Sequence, residues 1–202
     1  MNSKNTSAEF TPAEYKEYLA KGIDYSQYKK QMGENLALST DLKLQGFINL
    51  NQRRMHDVEM NYTISDALAL VVKNTKHKTY WLVVTEHWCG DSSQSLPVFN
   101  KFAELSDGKI EMRIVYRDQF PELLNVGITT FTRMMPKIIQ LDGGYHVTGI
   151  WGPRPSGALR LMEKIRSDHS TSASHDKELH DWYANDQQHS IESEIAELLK
   201  NA

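Results

Sequence analysis

Residues 79–97 read TYWLVVTEHWCGDSSQSLP. The first seven are aromatic and β-branched without polar alternation, which predicts a strand buried on both faces. Downstream, Leu96, Phe99, Phe102 and Leu105 recur at helical spacing. Cys89, the only cysteine of the chain, therefore falls where a strand stops and a helix starts. The unpaired amides and dipole of a helix N-terminus favour a thiolate, so a thiol at this junction has a physical reason to be acidic and nucleophilic. Gly90 lets the chain turn tightly. Trp88 offers a flat apolar wall, and Ser92 can donate a hydroxyl hydrogen bond to a thiolate. Asp91 acts the other way, because its charge raises the thiol pKa. His87 offsets that only if protonated, so the net shift has no sign at this level. Glu86 and Asp91 flank the cysteine as a carboxylate pair, with Glu86 equally suited to facing solvent.

Working outward, KIEMRIVY (109–116) alternates Ile110, Met112, Ile114 and Tyr116 and predicts a second strand. QFPELLNVG is a short helix ended by Gly127. PKIIQLDGGYHVTGIW (136–151) reads as two strands joined at Asp142-Gly143-Gly144. Arg154-Pro155 opens a helix with Leu159, Met162 and Ile165 on one face. Strand, helix, strand implies a right-handed parallel crossover, and the hairpin adds antiparallel strands. The expected fold class is α/β, a mixed sheet flanked by helices. Before residue 76, TPAEYKEYLAKG reads as a helix capped by Thr11, residues 41–60 as a helix weakened by Gly46, and Ser65 caps SDALALVVKNT. After Arg166, SDHSTSASHDKE reads as a polar linker. SIESEIAELLKN follows as a helix with Ser190 as cap, acids in its first turn, and a stripe of Ile191, Ile195, Leu198 and Leu199 that docks on its own domain.

Composition sets outer bounds. The chain has 202 residues, 40% hydrophobic and 24% charged, enough to bury a sizeable core. A net charge of −3 supplies no field for nucleic acid. No apolar run reaches the length of a membrane span. The N-terminus MNSKNTSAEF lacks the apolar core of a secretory signal, so the cytoplasm is the expected location. One cysteine excludes an internal disulfide and a cysteine-rich zinc site, and leaves a disulfide to another molecule open.

Trp88-Cys89-Gly90-Asp91-Ser92 after a strand, with Pro97 eight residues beyond the cysteine, resembles the active-site segment of thioredoxins. Gly127-Ile128 through Met135-Pro136-Lys137 resembles that family's second signature, in which a cis-proline opens a strand and faces the active site. Gly149 or Gly152 would match the glycine-bearing loop that receives substrate backbone. The resemblance covers residues 76–168. The whole chain is most similar to bacterial thioredoxin-family proteins with a helical N-terminal extension and a Trp-Cys-Gly-Asp centre. It implies a thioredoxin-like core at 76–168, a helical N-terminal extension at 1–75 packed on it, and a polar linker with a C-terminal helix at 169–202, one domain overall. The departures are Ser92 in place of the resolving cysteine, Asp91 in place of a proline, and Val83 in place of a buried aspartate.

Two readings of function follow. In the first, Cys89 attacks a protein disulfide or a capped thiol, and an external low-molecular-weight thiol resolves the mixed disulfide, with no cofactor or metal. Cys89 and Ser92 are then the catalytic pair, and Trp88, Gly90, Asp91, Met135, Pro136, Gly149 and Gly152 form the substrate platform. In the second, the fold binds peptide or protein and the thiol is incidental. The partners exclude nucleic acid and membrane, and the chain is expected as a monomer or weak homodimer. Tyr15, Tyr18, Tyr25 and Tyr28, like Trp182 and Tyr183, are read as covering the domain itself. His175 and His180, with Asp176 and Asp181, are read as solvated surface rather than a metal site. Arg53, Arg54 and Arg166 are read as ordinary charges.

Overall fold

The central strand is β1 (Thr79–Thr85), and its side chains alternate between two cores. Trp81 and Val83 enter a larger apolar cluster with Phe99, Phe102 and Ile195. Leu82 and Val84 enter a smaller one with Tyr15, Leu19 and Leu123. This two-sided burial is why the strand carries no polar alternation. In this computed structural model, which describes residues 9–127, 134–167 and 172–201, α5 (Gly90–Leu105) leads from β1 to β2 (Ile110–Tyr116), which pairs parallel to β1. β3 (Lys137–Leu141) pairs antiparallel on the other side of β1, and β4 (Val147–Trp151) pairs antiparallel with β3. Among the described residues the sheet order is β2-β1-β3-β4, the expected mixed α/β arrangement. The stretch 121–125 is a single 3-10 turn, and residues 128–133 of the second signature lie outside the described residues.

The N-terminal part forms α1 (Pro12–Lys21), α2 (Tyr25–Leu38), α3 (Leu42–Asn61) and α4 (Asp66–Lys73). Thr11 caps α1 through a reciprocal capping box with Glu14, as its position predicts. A second box, Asp24 with Gln27, starts α2, an element the hydrophobic pattern did not reveal. Between them Ile23 exchanges backbone hydrogen bonds with Ile114, 2.9 and 2.8 Å, and covers the outer edge of β2. Tyr15, Tyr25 and Tyr28 are buried, and the Tyr18 hydroxyl donates to Glu122.

The C-terminal part differs from its expectation. The polar stretch read as a linker becomes a helix from Ser172: α6 (Ser156–Ser167) is followed by α7 (Ser172–Asp186) and α8 (His189–Leu199). Leu179 and Tyr183, four residues apart, give α7 a narrow buried stripe, and Asp176, Lys177, Glu178 and Asp181 form its exposed face. The α8 stripe of Ile191, Ile195 and Leu198 docks on β4 and α5. Ser190 is not its cap. It sits inside the helix and donates to Asp186, while Gln188 takes the cap position in a left-handed conformation. Two α8 acids cap other helices: Glu192 accepts from the amide and hydroxyl of Ser65 at the start of α4, and Glu194 accepts from the Ser156 amide at the start of α6 and from Trp151 Nε1.

Two glycines test this packing with opposite signs. A Cβ at Gly22 would lie 2.8 Å from Arg113 Cβ, so Gly22→Ala forces the Ile23 crossing off the β2 edge. The expected loss is about 1–3 kcal/mol in urea unfolding. Gly46, exposed in the interior of α3, has nothing within 4 Å of such a Cβ. Gly46→Ala is expected to raise stability by about 0.5–1 kcal/mol.

Candidate functional site

Cys89 is the N-cap residue of α5, and it is buried. The residue is 7% exposed, and Sγ donates to the carbonyl of Met135 at 3.4 Å. The Met135-Pro136 peptide is cis, and so is Gly152-Pro153. The Thr85 hydroxyl donates to Ser92 Oγ, which leaves the Ser92 proton available to the sulfur. The hydrogen bonds from Ser92 and from the Ser92 and Asp91 amides favour a thiolate, but burial first and the Asp91 charge second outweigh them. The thiol pKa is pushed up to about 11. At neutral pH Cys89 is a protonated thiol, so the helix N-terminus does not win here.

The Asp91 carboxylate is itself buried, 7% exposed. Its Oδ1 accepts from Arg154 Nε at 2.7 Å and from the Tyr183 hydroxyl at 2.8 Å. Burial works against the Arg154 charge, but Asp91 outweighs it and the guanidinium pKa is raised. Asp91 thus binds the first turn of α5 to the chain entering α6 and to α7. Gly90 is the matching close approach: a Cβ there would lie 3.0 Å from His180 Nε2 and 3.3 Å from Arg54 Nη1. Gln94 continues the contact, with Nε2 3.4 Å from His180 Nδ1 and Oε1 accepting from Gln188 at 3.2 Å.

On the other side of the thiol, His87 cannot supply the compensating charge considered from sequence. It is buried; Nδ1 lies 2.8 Å from Asn35 Nδ2 and Nε2 lies 3.0 Å from the Tyr116 hydroxyl. Asn35 donates to Nδ1, and the Nε2 proton goes to Tyr116, which donates onward to Gln31 Oε1 at 2.7 Å. Burial pushes the imidazole pKa down to about 4, so the ring is neutral. Asn51 Nδ2 donates to the His87 carbonyl, and Tyr28 donates to the Glu86 carbonyl. Trp88 is half-buried beneath the Arg117 guanidinium, 4.9 Å from the ring centroid. Glu86 turns to the neighbouring loop, where Oε1 accepts from the Asp118 amide.

Of the residues singled out from sequence, Cys89, Gly90, Asp91 and Ser92 form one turn, and Met135 and Pro136 meet it through the sulfur. Gly152 belongs beside Pro136: its φ is +118°, and a Cβ would lie 2.1 Å from the Pro136 carbonyl oxygen. Gly149 does not join them. It pairs with Gln140, which pairs with Trp81, four residues back from Thr85, or about 13 Å along the strand. Leu198 of α8 packs on it, 2.5 Å from a Cβ position. The sequence reading missed Arg154, Tyr183, Arg54 and His180 as partners of this turn. His180 and Arg54 are not ordinary surface charges but its cover. The available signal was Asp91 itself, an acid beside a thiol in a first turn followed by Ser93, Ser95, Leu96 and Phe99, all buried. An acid carried into such surroundings requires a cation from elsewhere in the chain.

The thiol's acidity gives a signed expectation. Alkylation of Cys89 by iodoacetamide rises about tenfold per pH unit from 7 to 10, without a plateau below pH 10, because only the thiolate reacts. Asp91→Asn removes the charge that disfavours the thiolate and leaves Arg154 beside it. Alkylation at pH 8 is expected to quicken by on the order of tenfold, at a stability cost of about 3 kcal/mol. A pH–rate profile with a urea titration checks both.

Known proteins share this fold. Two solved structures share the fold over nearly the whole chain: a protein of unknown function from Pseudomonas aeruginosa, with a TM-score of 0.61, 18% identity and coverage of 92% of this chain and 96% of that one; and an HIV epitope-scaffold, with a TM-score of 0.60, 19% identity and coverage of 93% and 98%. No curated protein matches by sequence. A family model described as thioredoxin matches residues 37–169, which take in β1, the Cys89 turn, cis-Pro136 and the hairpin, and the chain belongs to that thioredoxin family.

Proposed function

We propose that this protein carries out single-thiol disulfide exchange at Cys89. The observation that carries the reading is the sulfur's position at the head of α5, in contact with the carbonyl before cis-Pro136. In the reaction the Cys89 thiolate attacks one sulfur of a disulfide R–S–S–R. A Cys89–S–S–R bond forms and R–S⁻ departs, taking up a proton. A second, external thiolate then attacks the R sulfur, forms a new disulfide with it, and returns Cys89 as thiolate. Ser92 holds no thiol and cannot resolve the intermediate, so its role is to donate a hydrogen bond to the sulfur in its charged form. Trp88, Gly90, Asp91, Met135, Pro136 and Gly152 frame the place where the disulfide meets Cys89. The Asp118 and Arg117 loop beside Trp88 forms the rim.

A second reading has its own support. A pKa of about 11 leaves roughly one part in ten thousand of Cys89 as thiolate at pH 7. That resting acidity suits a fold that binds a partner without a covalent step. Intact-mass measurement separates the two. Native protein incubated with glutathione disulfide at pH 8 is expected to gain one adduct, absent in Cys89→Ser and released at a rate first order in added glutathione. If the folded protein takes no adduct up to pH 9 while the urea-unfolded chain does, exchange at Cys89 is wrong and the binding reading stands.

A further inference from the structure

The first turn of α5 is closed on the side facing α3 and α7, and the closure is polar. Gly90 lies against His180 of α7 and Arg54 of α3, so that even a Cβ there would press on the imidazole at 3.0 Å. The next residue, Asp91, is tied to α7 by the Tyr183 hydroxyl, and Gln94 is tied to it by His180. Cys89 keeps 7% exposure under this arrangement. α7 reaches that position by packing on α6, where Trp182 lies against Gly157, 2.7 Å from a Cβ position. Among its described side chains the apolar anchor is Leu179, Trp182 and the Tyr183 ring, and the polar groups it presents to the Cys89 turn are the His180 imidazole and the Tyr183 hydroxyl. A helix that only completed a hydrophobic core would need neither. The thiol-disulfide step also has a strict shape: attacking, central and leaving sulfurs lie nearly in line, so the whole disulfide must fit over the attacking sulfur.

We propose that α7 is a specificity element of the Cys89 centre, with His180 and Tyr183 restricting it to low-molecular-weight disulfides and excluding disulfides on folded protein surfaces. The proposal rests on the reading of Cys89 as an exchange centre and names the substrate class of that centre. A small disulfide R–S–S–R gives Cys89–S–S–R and R–S⁻ within the covered turn. A disulfide fixed on a folded surface would have to carry that surface into the volume held by His180 and Arg54. His180 and Tyr183 therefore act on which molecule arrives, not on the bond exchange itself.

Access is measured apart from exchange by labelling the folded protein at pH 9 with two thiol reagents, methyl methanethiosulfonate and a maleimide carrying a 5 kDa polyethylene glycol. Each rate is divided by that of the same reagent on the urea-unfolded chain. The small reagent is expected to be favoured at least tenfold in the native protein. His180→Ala should reduce that preference several-fold, mainly by speeding the bulky reagent. Tyr183→Phe, which keeps the ring and removes only the hydroxyl on Asp91, should act in the same direction. Glu178→Ala, on the exposed face of α7, should leave it unchanged. Equal normalised rates in the native protein, or a preference that neither variant moves, would overturn the proposal. The labelling needs only a thiol, so a protein that takes no glutathione adduct would sink the exchange reading while the size preference stayed readable. Insulin disulfide accepted as fast as glutathione disulfide would sink the substrate class alone.

Discussion

The buried carboxylate of Asp91 is the constraint on which the rest of this structure depends. An ionised acid taken out of water costs several kcal/mol unless it is paired and its lone pairs are occupied. Here the Arg154 Nε and the Tyr183 hydroxyl meet that requirement on one oxygen. Neither is local. Arg154 stands 63 residues downstream, before α6, and Tyr183 stands 92 downstream, in α7. The head of α5 therefore takes the partners of its carboxylate from the C-terminal elements, and α7 packs over Gly90 next to Cys89. The matched family region supplies both the place for the thiol and Arg154, the cation on Asp91; Tyr183 comes from α7, beyond the matched residues.

The N-terminal helices do the corresponding work on the other side. Ile23 caps the β2 edge, and α2 and α3 send Asn35 and Asn51 to the ring and carbonyl of His87. A buried imidazole at that point adds no positive charge next to the sulfur, because burial disfavours the charged ring. At the far end of the sheet, α8 uses carboxylates in the same connecting role: Glu192 and Glu194 satisfy the orphan amides at the starts of α4 and α6. Charged groups that look solvent-facing in sequence thus carry a good part of the tertiary connectivity.

That pattern explains what was and was not legible. The sheet, its crossover helix and the hairpin could be read because hydrophobic periodicity is a local property, and β1 with α5 shows it without interruption. The cysteine's place at a strand-to-helix junction was equally local. α7 is not legible because SDHSTSASHDKE has no apolar face, and among the described side chains of the helix only Leu179 and Tyr183 are buried. α2 was lost because its start is encoded in a capping box rather than in its hydrophobic stripe. Ser65 and Ser190 were given the right chemistry and the wrong partner, since a hydroxyl at a helix start is satisfied as well by a distant glutamate or a neighbouring aspartate as by its own helix. Gly149 was misplaced because glycine near a hairpin does not reveal how far along the strand it pairs. The sign of the thiol's pKa shift was out of reach for the same reason as Arg154: burial and long-range charge are tertiary facts.

The departures from the family pattern fit a centre held in its neutral form. A dithiol site gains from an acid beneath the sulfurs; Val83 at that position is fully buried among apolar side chains and offers none. The charge sits instead at Asp91, beside the sulfur, where it disfavours the thiolate and is itself pinned by Arg154. Because burial is the largest cause of the raised pKa, access and acidity are linked. Whatever uncovers Cys89 enough to admit a disulfide also returns water to it. A fall from about 11 to the unperturbed 9.0 increases the thiolate fraction at pH 7 about a hundredfold. The lower pKa weakens the intrinsic nucleophilicity of the sulfur by about tenfold, given a Brønsted coefficient near 0.4–0.5. The net gain is about tenfold in reactivity for an uncovered sulfur.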